Sequence, residues 1–192
     1  MTALILGLVI FLGVHSVRIF AEDWRTAQVA RLGPNGWKAL YSVVSLAGFV
    51  LLVWGYGESR TNPVDLWSPP RWTAHVTALL TLPAFVLLVA AYVPGTRIKA
   101  AVGHPMILGV KLWAFSHLLS NGRLADVVLF GAFLVWAILD FRAAKARDRA
   151  AGTRYAAGPV MRDVIAVVVG VGAWAAFAMV LHAWLIGVRP FG

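Results

Sequence analysis

The chain has 192 residues, 60% of them hydrophobic, a net charge of +9 and no cysteine. Soluble domains are about 45–50% apolar, so too few polar residues remain to cover a water-soluble core, and the lack of cysteine excludes disulfides, thiolate metal sites, cysteine nucleophiles and haem attached through Cys-x-x-Cys-His. No basic–aromatic strand or nucleic-acid recognition helix accompanies the positive charge, which reads instead as Lys- and Arg-rich loops on the cytoplasmic side of a membrane.

The hydrophobic residues fall in six long blocks, and about 20 apolar residues of helix cross a hydrocarbon core of roughly 30 Å. Span one covers Thr2–Phe20; with no basic region before it, it reads as a retained helix rather than a signal peptide. Gly33-Pro34-Asn35-Gly36 predicts a turn before span two, Trp37–Tyr56. Pro63 and Ser68-Pro69-Pro70 mark the second loop, and span three, Trp72–Val93, ends at Pro94-Gly95. Span four covers His104–Ser120. A tight Asn121-Gly122 turn separates it from span five, Leu124–Phe141. The basic, alanine-rich stretch Arg142–Arg154 predicts a helical extension of span five, solvated or lying at the headgroups of anionic lipid. Span six covers Asp163–Val188, with Gly170, Gly172, Ala173 and Ala176 small enough for close helix contact, within one chain or between two.

Loops one, three and five carry twelve of the seventeen Lys and Arg residues, and the other side carries four. The bias puts those loops in the cytoplasm and both termini outside. Trp24, Trp37, Trp54, Trp67, Trp72 and Trp184 lie near span ends, as an aromatic belt predicts. The expected architecture is all-α: a polytopic transmembrane helix bundle of six spans, one domain over residues 1–192, in the inner membrane of a bacterium.

Ionisable residues inside spans are costly and usually functional. At least three residues in from the span ends they are His15, His75, His117, His182 and Lys111, with His104 at a span start. Burial keeps imidazole neutral, and neutral imidazole is a good metal ligand. With no cysteine and few intramembrane carboxylates, a haem held by histidines from two helices fits better than zinc or an iron–sulfur cluster. The alternative is that each histidine hydrogen-bonds across helices and serves packing alone.

Span four is the densest segment. Trp113, His117, Ser120 and Asn121 share one helix face, and Pro105 after His104 suits a first turn. Lys111 lies too deep to snorkel easily, which points it inward, toward a haem propionate or a polar cavity. Arg18, one turn beyond His15, either holds an anionic cofactor group or anchors the helix end. His15 lies toward the cytoplasmic side and His117 toward the outer side, offset by about 13 Å along the axis.

Two stretches together resemble the NnrU family, which includes the zeta-carotene isomerases: His15-Ser16 with Arg18, and Gly103-His104-Pro105-Met106 followed by Gly109, Trp113, His117 and Asn121-Gly122. Gly36-Trp37-Lys38-Ala39-Leu40-Tyr41 extends the likeness. The resemblance implies a polytopic membrane protein and, in the isomerase branch, haem b with two axial histidines matching His15 and His117; His104 matches the His-Pro motif. It implies either a link to nitrite and nitric oxide (denitrification) metabolism or haem-dependent cis–trans isomerisation of a carotenoid or another polyene or prenyl lipid. A non-catalytic membrane accessory protein is the third reading. The expected cofactor-binding set is His15, His117, His104, Arg18 and Lys111, with His15 and His117 on the metal; the partners are the bilayer and a hydrophobic polyene or other small-molecule substrate.

Overall fold

Nineteen residues with no charge before Arg18 form α1, Thr2–Phe20, with the bounds that hydropathy predicts. The computed structural model describes residues 1–191. α2, Glu22–Ser59, begins earlier than expected, because the Gly33-Pro34-Asn35-Gly36 segment is a kink and not an open turn. Gly33 alone leaves helical geometry, at φ 72° and ψ 161°, a region glycine enters without a Cβ penalty. Pro34 then restarts the helix at a position where its missing N–H costs nothing. A short helical arm, residues 22–32, is thereby set off from the long segment 34–59.

α3, Trp72–Tyr92, carries Pro83 in its interior. α4, Arg97–Val102, is a short connecting helix whose start is capped by Thr96, the hydroxyl accepting the Lys99 N–H at 3.0 Å. α5, Pro105–Ser120, has His104 as its N-cap and Pro105 in its first turn. α6, Leu124–Ala151, runs without a break through the basic stretch, so the predicted extension of span five is present. α7, Val160–Ala176, passes through a π-turn, Phe177–Leu181, into α8, His182–Ile186. The connections hold one isolated β-bridge, between Asp65 and Arg123.

Among the described residues, five helices are long and apolar enough to cross a bilayer: α1, α2, α3, α6 and the continuous segment Val160–Ile186. α5 has 16 residues, about 24 Å of helix, and falls short of that length. The helices pack as an open row in the order α2–α1–α6–α5–α3–α7. Glycines set the closest approaches. Gly7 sits on the Leu52 backbone, Gly48 on Phe11 and Gly55 on Leu4, so α1 and α2 run antiparallel in one constant register. Gly170 packs on the Val86 backbone, whereas Gly172 has nothing within 4 Å. The span-six contact at Gly170 is therefore made within the chain. The interior is mostly small side chains such as Ala84, Ala90, Ala114 and Ala137, while Val43, Leu79 and Val168 on the flanks are 66%, 70% and 64% exposed. That inversion suits lipid, where close packing rather than hydrophobic burial joins helices.

One end of the bundle gathers the basic residues: the end of α1, the α2 arm, α4, the start of α5 and the extension of α6. At the opposite end the 60–71 connection folds over the α5–α6 turn. Leu66 N–H donates to the Gly122 carbonyl and Leu124 N–H to the Val64 carbonyl, both at 2.8 Å.

Candidate functional site

At the basic end, α1, α2, α5, α6 and the segment after it enclose a cavity of ≈ 700 Å³. His15 enters from α1. Its Nδ1–H donates to the Phe11 carbonyl at 2.6 Å. A carbonyl oxygen only accepts, so the ring proton sits on Nδ1 and the Nε2 lone pair is available. Phe11, Tyr41 and Trp136 hold the ring, at centroid distances of 4.3, 5.2 and 6.1 Å. The Trp136 Nε1–H is buried without a hydrogen-bond partner.

His104 lines the same cavity from the start of α5. Its Nε2 lies 2.8 Å from Asp148 Oδ2, and the Tyr155 hydroxyl donates to Asp148 Oδ1 at 3.1 Å. Burial raises the Tyr155 phenol above its ordinary pKa, and the bond to Asp148 adds to the shift. Four cationic residues, Arg18, Arg25, Lys38 and Arg147, line the cavity against two carboxylates, Asp140 and Asp148. Arg25 is steadied by Glu22 at 2.7 Å, a bond that lowers the Glu22 pKa. The wall is thus rich in cations and donors and suits an anionic ligand, with the His15 Nε2 lone pair available for a metal.

A second cavity, of ≈ 350 Å³, lies between α3, α5 and the α7–α8 segment, toward the opposite end. His117 donates its Nδ1–H to the Trp113 carbonyl at 2.8 Å, and its ring stacks on Phe130 at 4.7 Å. His182 donates its Nδ1–H to the Val188 carbonyl at 2.7 Å. Both rings therefore keep Nε2 as an acceptor. Thr77 donates to the Ser116 carbonyl at 2.7 Å and tethers α3 to α5, while Trp174 Nε1–H donates to Thr81 Oγ1 at 3.2 Å and tethers the last span to α3.

Of the residues singled out in the sequence, His15, Arg18 and His104 line the basic-end cavity and His117 lines the other. The structure does not bring His15 and His117 into one cavity; Phe11, Phe133 and Trp113 stand between their rings. Lys111 lines neither cavity, and its ammonium sits 5.2 Å over the Phe141 ring. His75 stacks against Phe191 at 6.4 Å. Among the described residues, no three His, Asp or Glu side chains could hold a metal ion together.

Arg147 and Asp148 lie in the stretch that composition marks as solvated or headgroup-facing, and Asp140 lies just before it, at the end of span five. The signal was present: Asp140, Ala144, Arg147 and Ala151 recur at helical spacing and share one face, and that face lines the cavity. His182 was noted among the intramembrane histidines but left out of the site, since nothing in sequence joined it to span four.

The long apolar helices, small-residue interior and paired cavities define an all-helical, polytopic membrane protein with histidines set into its bundle. The family model described as NnrU protein matches residues 3–190 of the chain, which belongs to the NnrU family. No curated protein and no solved structure matches it.

Proposed function

We propose that this NnrU-family protein is a six-span protein of the bacterial inner membrane, both termini outside, that binds haem b in its basic-end cavity. The observation that carries the reading is the joint presence there of His15, with an available Nε2, and of the cationic wall of Arg18, Arg25, Lys38 and Arg147. The residues fit the group. His15 would give the iron an imidazole nitrogen, the cations would hold the propionates, and Trp37, Tyr41 and Trp136 offer flat apolar walls. A cavity of ≈ 700 Å³ falls within the roughly 300–1,000 Å³ of ordinary ligand sites. His104 is the second imidazole of the same cavity, oriented by Asp148 as outer partners orient metal-binding histidines. Bound there, haem supplies an iron whose oxidation state governs its axial ligation.

The activity in this reading is a role in nitrite or nitric oxide turnover; haem-dependent cis–trans isomerisation of a polyene is the alternative. The resemblance to zeta-carotene isomerases favours the second. Positive-inside bias supports the orientation, and the position of α5 between α3 and α6, with Phe115 and Leu119 exposed on its surface, supports counting it as the sixth span.

The decisive experiment is the absorption spectrum of protein purified from haem-supplied cells. A Soret band is expected, lost in His15→Ala and retained in His117→Ala. A folded, colourless protein would end the haem reading. Loss of the band in both variants would restore the pair that the family resemblance implies. A cis-polyene assay under reducing conditions, beside nitrite and nitric oxide turnover in a deletion strain, separates the two activities. The chain has no cysteine, so single cysteines placed at Asn62 and Arg149 report the orientation by labelling from either side.

A further inference from the structure

The geometry points to the second cavity as a binding site for a flat, apolar ring compound that carries hydroxyl donors, of the hydroquinone class. This site is independent of haem in the other cavity. His117 and His182 both spend Nδ1–H on backbone carbonyls, at 2.8 and 2.7 Å. Each neutral ring then presents only an acceptor at Nε2. Two acceptors in one small cavity ask for a ligand with donors, which a hydrocarbon lacks, while Arg189 and Asn121 in the same wall can donate to that ligand's oxygens.

Shape narrows the class. Trp113, Trp174, Phe85 and Phe177 supply aromatic walls, and Gly109 and Ala84 keep the floor shallow. A volume of ≈ 350 Å³ holds a ligand of one or two rings, at the lower end of the usual range of about 300–1,000 Å³. The backbone contributes an independent mark. The segment Phe177–Leu181 is a π-turn, a costly irregularity that recurs at functional sites. It lets Phe177 and His182, five positions apart, line the cavity together, their rings perpendicular at 5.8 Å. The site lies beside the two outermost helices of that flank, so its ligand would arrive from the bilayer.

Equilibrium dialysis of the full chain in nanodiscs tests this, with empty nanodiscs correcting for partition into lipid. The probes are a decyl-substituted hydroquinone, kept reduced with ascorbate, and its dimethyl ether, which has the same ring and no donor. Two hydrogen bonds of ordinary net strength predict that the hydroquinone binds about tenfold or more tightly than the ether. His182→Phe, which keeps a ring and removes one of the two acceptors, should cut that preference to about threefold and leave the ether's affinity unchanged. Equal affinities for the two probes, or no saturable binding of either, would overturn the proposal. So would one equivalent of Zn²⁺ displacing the hydroquinone and depending on both histidines, because the pair would then be a metal site. If His182→Phe fails to fold, the comparison of the two probes on the unaltered protein decides alone.

Discussion

Gly48 on α2 offers a quantitative test of the helix register. A Cβ there would lie 2.7 Å from the Phe11 nitrogen and 3.1 Å from the Phe11 Cα on α1. Both are backbone atoms and cannot swing aside, so Gly48→Ala must push α1 from α2. Overpacking of this kind costs about 1–3 kcal/mol, against about 1 kcal/mol gained from alanine's better helix propensity. Gly13 on α1 has nothing within 4 Å of its Cβ position, so Gly13→Ala takes the gain without the clash. The two variants should therefore differ by about 1–3 kcal/mol, Gly48→Ala being the less stable. Unfolding by SDS in mixed micelles, followed by circular dichroism, measures the difference. Equal unfolding midpoints would refute the register, and with it the placement of His15, since its Nδ1–H is held by the carbonyl of the same Phe11.

Other substitutions probe the polar contacts. Tyr56→Phe removes the 2.6 Å bond from the phenol to Asp126, which is only 5% exposed, and should cost about 1–3 kcal/mol in the same SDS assay; a neutral result would mean that Asp126 finds another donor. Thr77→Val deletes the α3–α5 tether and should cost only about 0.6 kcal/mol, as interhelical bonds in lipid do. Asp148→Ala strips His104 and Tyr155 of their shared partner and should lose about 1–3 kcal/mol, whereas Asp148→Asn, which keeps an acceptor oxygen, should lose less. Tyr155 also predicts a pH effect. Its folded pKa is raised, so the stability it contributes is full below the ordinary tyrosine pKa of about 10 and is lost as pH rises through the folded value. Tyr155→Phe should flatten the decline above about pH 10; superimposable pH curves would remove Tyr155 from the network.

Hydropathy and turn residues made the helices legible, because the period and length of an apolar block decide whether it spans a membrane. α1 appears with its predicted bounds, and α3 and α5 differ from theirs by a single residue. The first loop was misread because Gly-Pro serves a kink as well as it serves a turn. The choice rests on whether residues 22–32 form a helix of their own, and that arm is too polar to register in a hydropathy reading. Single candidate residues are legible where a costly group stands in an apolar run, as with His15 and His117, which each line a cavity. Their grouping is not, since it depends on the lateral order of the helices, which a one-dimensional pattern does not encode. Asp148 and Tyr155 join His104 only because α6 continues past the hydrophobic block and the chain folds back beside it.

That lateral order also explains why span four carries the densest pattern. α5 lies between α6 and α3 in the row, so it has a cavity on each side, and Met106, Phe115 and Leu119 keep an exposed apolar face between them. It offers His104 to one cavity near its start and His117 to the other near its end, with Val110 lining both. A helix in that position is free of the requirement for a continuous apolar surface that governs α2 and α7 at the edges of the row. It is constrained instead by small residues such as Gly109, whose Cβ would lie 3.0 Å from the Ala84 carbonyl, and by side chains that must suit two cavities at once. His15 and His117, which the sequence invites one to pair, thus lie in two separate cavities with α5 as a shared wall.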